Sequence, residues 1–161
     1  MNLADPWNHL LQPLFQLHPP ESAMEKLVVR DGANDDAIGT VESVLQSSLL
    51  EGKGTLEAAL WLYIDDLDRS HTVSQGIENS TGSYWHGIMH RREGDFSNSH
   101  YWFNKVGAHP VMDLIDGYDP HDFIDAVEKS QDGQSQDLVA LQRHEWRTLF
   151  DWCVREEEPK Q

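Results

Sequence analysis

The sequence predicts an all-α protein, a single-domain bundle of about six to eight helices around a central antiparallel hairpin. Three observations carry this expectation. No stretch alternates with the period of two that a half-buried strand requires. Several segments instead place apolar residues three and four apart, the spacing of a core-facing helical stripe. Two such segments meet at Gly94, followed by the helix-capping residue Asp95, across a turn short enough to force antiparallel packing. With 161 residues, 39% of them hydrophobic, the chain supplies one core but not two, and 1–161 is read as one domain.

Taken in order, 1–34 reads as an irregular arm. Trp7, Leu10, Leu11, Leu14 and Phe15 have helical spacing, but Pro13 is expected to interrupt the ladder. Residues 27–29 fit either a brief extended piece or a loop. From Thr40, the apolar positions Val41, Val44, Leu45 and Leu49 predict a helix closed by Gly52 and Gly54. Thr55 then caps an amphipathic helix with the stripe Leu56, Ala59, Leu60, Tyr63, Ile64 and Leu67. Ser70 caps a short helix through His71, Val73 and Ile77, and 79–83 reads as a polar turn containing Gly82. The hairpin follows, 83–93 and 95–107. A helical turn is expected at 111–115, and Asp119-Pro120 opens a helix carrying Phe123, Ile124 and Val127. The last helix runs from Gln134 to about Arg155, with Leu138, Leu141, Leu149, Phe150 and Cys153 on one face and Trp146 beside them, before a frayed charged tail.

The charge balance narrows the possible partners. Against 28 acidic residues stand 12 basic ones, a formal charge of −16 that repels nucleic acid and anionic membrane, so neither is an expected partner. The basic pair Arg91-Arg92 is followed at once by Glu93 and Asp95. One cysteine, Cys153, excludes an intrachain disulfide and reads as a packing residue. With no signal-peptide pattern or long apolar run, the expectation is a cytoplasmic protein.

Gly87, Gly94, Phe96, Ser99, Phe103, Val106 and Pro110 resemble the spacing of one tetratricopeptide-type helical hairpin, in which a small residue in the first helix admits the second. One repeat-length upstream stand Lys53 and Leu62, so the likeness is local to a single unit. The longer string SHTVSQ, with GSYWHGIMHRREGDFSNSHYWFNKVGAHP after it, resembles the signature of a family of bacterial and fungal helical proteins of no established activity. That resemblance spans 56–110 and marks 40–110 as the core segment, followed by C-terminal helices in 119–158. It implies an all-helical fold and transfers no catalytic residue.

The chemistry must therefore come from the residues. At about 100° per helical residue, His86, His90 and Glu93 share a stripe roughly 60° wide, beside the apolar face of Trp85, Ile88 and Met89. Two imidazoles one turn apart can bind one divalent ion, so a metal set of His86, His90 and Glu93 is one expectation, with His71, His100 or His109 as alternative third ligands. Gly87 stands where a metalloprotease helix carries its glutamate, which removes that class. The alternative is that the two histidines are boundary residues hydrogen-bonded to carboxylate or backbone. Arg91 and Arg92 are read either as partners of Asp65, Asp66, Asp68, Glu93 or Asp95, or as a fork on an anionic substrate beside the histidines. Tyr84, Trp85, Tyr101, Trp102 and Phe103 are read mainly as packing residues and Trp61 as a rim residue. Ser70 and His71, being helix neighbours, diverge too far to act as nucleophile and base.

Three functions fit these residues. The leading expectation is a helical module that binds a protein or small molecule in a groove between the hairpin and the 55–68 helix. Its ligand-binding candidates are His71, Gln75, Trp85, His86, His90, Arg91, Arg92 and Tyr101. The alternative is a metal-binding protein or metal-dependent enzyme carrying a divalent ion on His86 and His90, with Arg91 or Arg92 orienting an anionic substrate. A structural subunit of a larger assembly is the third.

Overall fold

In the computed structural model, which describes residues 3–130 and 135–157, eight α-helices and no strand are found among those residues. They are α1 (Trp7–Leu17), α2 (Asp35–Leu45), α3 (Gly54–Tyr63), α4 (Leu67–Ser74), α5 (Ser80–Glu93), α6 (Phe96–Val106), α7 (Pro120–Lys129) and α8 (Gln136–Glu157). The all-α expectation holds. No helix among the described residues is long and apolar enough to cross a membrane. The expected helix start at Gln134 and the tail from 158 onward lie outside the described residues.

Several boundaries differ from the sequence reading, each for a local reason. Pro13 does not interrupt α1, because it lies on the exposed face, while Trp7, Leu11 and Leu14 bury the opposite one. Helix α2 begins five residues before Thr40, where Asn34 accepts the Ala37 amide at 2.8 Å and Asp35 and Asp36 favour the N-terminal dipole. It ends at Leu45, and Leu49 sits in a separate 3₁₀ turn, Ser48–Leu50. Thr55 is not a cap but lies inside α3, and Leu67 belongs to α4. Ser70 is likewise no cap. Asp66 caps α4, and the buried Ser70 hydroxyl donates to the Ala58 carbonyl at 2.9 Å, tying α4 to α3.

Helix α3 is the centre of the molecule. Its expected polar face does not exist, since Leu56 and every residue from Ala58 to Tyr63 are buried, Trp61 among them. Such all-round burial is what a helix enclosed by neighbours shows. It packs against α2, α4, α5 and α8, and α5 in turn packs against α3, α4 and α6.

The expected turn at 79–83 is instead the start of α5, whose first amides are capped by Asn79 accepting from Gly82 N at 2.8 Å. Gly82 is required there by proximity. A Cβ on it would stand 2.5 Å from the Ile77 carbonyl oxygen. Backbone cannot yield as a side chain does, so Gly82→Ala is expected to destabilise the protein by about 1–3 kcal/mol despite the better helix propensity of alanine. Urea unfolding measures this, and an unchanged midpoint would contradict the close approach.

The α5–α6 hairpin forms as expected. Gly94 adopts φ +85°, and Asp95 caps α6 by accepting from Asn98 N at 3.1 Å. At the crossing, the Phe103 ring fills the space where Gly87 lacks a side chain, and Ser99 donates to the Gly87 carbonyl at 2.7 Å.

Residues 18–30 cross this assembly without regular structure, the loop alternative for 27–29. Their carbonyls are taken by distant side chains: Ala23 by Arg143 Nε at 2.7 Å, Met24 by Gln142 Nε2 at 2.8 Å, and Lys26 by Arg92 Nη2 at 3.0 Å. The Val29 amide donates to the Arg92 carbonyl at 2.7 Å. A loop can be buried only if its backbone groups are satisfied in this way.

A candidate three-histidine metal centre

Helix α4 supplies His71, and α5 supplies His86 and His90 one turn apart. The rings of His71 and His86 are 4.6 Å apart, His86 and His90 4.7 Å, and His71 and His90 5.5 Å. One nitrogen from each ring falls within 4.8 Å of the other two. Three zinc-bound nitrogens in tetrahedral geometry sit about 3.3 Å apart, inside that limit, and His71, only half-buried, is the least enclosed of the three rings. His86 and His90 are fixed more firmly, at 1% and 4% exposure.

The hydrogen bonds behind the rings decide which nitrogens are available. Ser74 Oγ lies 3.3 Å from the His71 carbonyl and 2.7 Å from His86 Nδ1, and when its proton goes to the carbonyl it accepts from Nδ1–H. His90 Nδ1 lies 2.6 Å from Glu93 Oε1, and a carboxylate also only accepts. His90 therefore carries a proton on Nδ1, and His86 does so when Ser74 donates to His71; no hydrogen-bond partner meets either Nε2 among the described residues. Burial, then the proximity of His90, His71 and Lys105, pushes His86 down to about 3, so it is neutral and able to bind metal at physiological pH.

Glu93 and His86 do not come together in one donor group. Glu93 shares a separate cluster with His90 and Asp95, and its contact with Nδ1 makes it a buttress for His90 rather than the third ligand expected from the sequence. The other proposed third ligands point elsewhere. His109 Nδ1 accepts the Val111 amide and its Nε2 meets Thr81 Oγ1, with burial lowering its basicity. His100 pairs with His121, Nδ1 to Nδ1 at 2.7 Å, and with Asp125.

Arg91 and Arg92 do not face the histidines. Both are fully buried. Arg92 reaches Asp65 at 2.6 Å, one of its expected partners, and the carbonyls of Leu62 and Lys26. Arg91 forks onto Glu145, with Nη1 3.0 Å from Oε2 and Nη2 2.7 Å from Oε1, and lies over the Phe123 ring at 4.0 Å. Glu145 also accepts from Tyr118, which accepts from Tyr84 at 2.9 Å. Burial beside Glu145 raises both phenols, so they remain protonated donors.

Of the remaining candidates, Trp85 lies in the core against Trp146, and Gln75 is exposed at the end of α4. Tyr101 is 54% exposed rather than packed, and Trp102 lies against His86 with ring centres 4.1 Å apart and planes inclined by 51°. A cleft of about 200 Å³ adjoins the Glu93 end, lined by Asp31, Asp65, Asp66, Asp68 and Arg30 among others.

No protein-family profile, curated protein or solved structure matches the chain.

Proposed function

We propose that the protein binds a divalent transition-metal ion, zinc being the best fit, through His71, His86 and His90. The observation that supports this is the convergence of one ring nitrogen from each of the three histidines, with the Nδ1 atoms of the two buried rings held by Ser74 and Glu93 and their Nε2 atoms unpartnered among the described residues. An imidazole oriented from behind by a hydroxyl or carboxylate, and bare in front, is the arrangement of a metal ligand with its outer-shell support. Three nitrogens leave a fourth position open, as in catalytic rather than structural zinc sites. A bound ion would make a coordinated water acidic there. The single buried cysteine fits a reducing, cytoplasmic setting.

Protein purified without an affinity tag is expected to carry about one metal ion per chain by elemental analysis. Negligible metal, together with no thermal shift on adding zinc, manganese or iron, would remove the proposal.

A second reading, a binding module whose groove lies beside the hairpin, is favoured by the exposure of Tyr101. Trp61 gives it no support, being 4% exposed. In this reading α4 replaces α3 as the groove wall, because α3 is enclosed.

A further inference from the structure

The three histidines lie on α4 and α5, α6 packs against α5 beside them, and the surroundings on the two sides of the cluster differ in charge. At the Glu93 end the adjoining cleft is lined by carboxylates. At the opposite end α6 presents Tyr101, Trp102 and Lys105. The Lys105 ammonium sits 4.5 Å from the centre of the Trp102 ring and 5.1 Å from that of Tyr101, and Trp102 itself rests on His86. Lys105 forms no ion pair among the described residues. Its charge is exposed and meets no carboxylate among the described residues, in a chain of net charge −16. Its charge also reaches His86, whose protonation it opposes.

Resting on the metal reading above, we infer that the open coordination position takes an oxyanion, a carboxylate or phosphate group, bridged between the metal ion and Lys105, with the body of the ligand on Trp102 and Tyr101. Two positive centres recognise the charged group from two directions. The acidic lining at the Glu93 end disfavours approach from there, so entry is from the Lys105 side. The rings suit a ligand with an apolar or planar body, because Tyr101 is exposed and the half-buried Trp102 lies next to it. Arg91 and Arg92, expected to orient an anionic substrate, are held in buried ion pairs, and Lys105 takes that role.

The test uses the full chain loaded with cobalt(II), whose visible spectrum reports a change of ligand at the ion. Sodium acetate and inorganic phosphate are titrated separately at constant ionic strength. The expected result is a saturable spectral change with at least one of them. Lys105→Met is expected to weaken that anion by about tenfold or more, the effect of losing a charge-assisted contact, with cobalt affinity unchanged. Lys105→Arg should restore most of it, and Lys129→Met, a cation on α7, should behave as the parent. A cobalt spectrum indifferent to both anions, or equal anion affinity in Lys105→Met, overturns the inference and leaves the metal reading intact. Failure to bind cobalt at all overturns both.

Discussion

Replacing Glu145 with glutamine is expected to destabilise the protein by about 3–5 kcal/mol, because it leaves the Arg91 guanidinium charged and unpaired in the core. The pair is 0% exposed on both sides, and no solvent can take over from the lost carboxylate. The substitution preserves shape, so the loss reports charge rather than volume. Tyr118 loses its anionic acceptor at the same time. The double variant Arg91→Met, Glu145→Leu is expected to recover most of the loss, since an apolar pair of similar volume removes the desolvation penalty of both groups. Guanidinium unfolding of the parent, the single and the double variant measures both differences. A single variant within about 0.5 kcal/mol of the parent, the range of ordinary surface changes, would show that the charge is not buried in solution.

The second large effect concerns the metal centre. At a zinc concentration about 100 times the dissociation constant, the parent protein should gain about 2.7 kcal/mol, or roughly 5–10 °C in midpoint for a chain of this size. His71→Ala should abolish that gain while changing apo stability by no more than about 0.5 kcal/mol. His71 is suited to the test because its ring is half-buried and forms no hydrogen bond among the described residues, whereas His86 and His90 also hold the interior together. Differential scanning calorimetry with and without zinc gives both numbers. A full zinc shift in His71→Ala would mean that the donor set lies elsewhere.

The parts of this architecture visible in the sequence are those decided by one or two neighbouring residues. Gly94 needs a left-handed backbone, and Asp95 carries its own capping oxygen, so the hairpin could be placed without knowing what surrounds it. The Asp119-Pro120 start of α7 is of the same kind. Periodicity failed where it stopped discriminating. The stripe on α3 is buried as expected, but Trp61, expected at the rim, is buried too, as are Ala58 and Leu62, and a helix enclosed on all sides has no phase to read. The start of α2 was missed because Asn34 lies outside the apolar pattern that drew attention to Val41 and Val44.

For the site, the i, i+4 spacing placed His86 and His90 on one face, and a third ligand was narrowed to four residues. Choosing His71 among them depends on how α4 lies against α5, which no local pattern encodes. The partner of Arg91 was harder still. Glu145 and Gln142 occupy core phase on α8 among Val139, Trp146, Leu149 and Cys153, and two polar residues in register with an apolar stripe were the available signal. Reading only the apolar members of that stripe passed over them.

The strap at 18–30 bears on how the chain acquires this structure during synthesis. Its carbonyls are satisfied by side chains of α8 that follow them by 118 and 120 positions. While a ribosome is still making the middle of the chain, Lys26 and Val29 can already meet Arg92 of α5, whereas the Ala23 and Met24 carbonyls lack their donors. The first part of the strap, although synthesised early, therefore gains these two hydrogen bonds only once α8 has emerged.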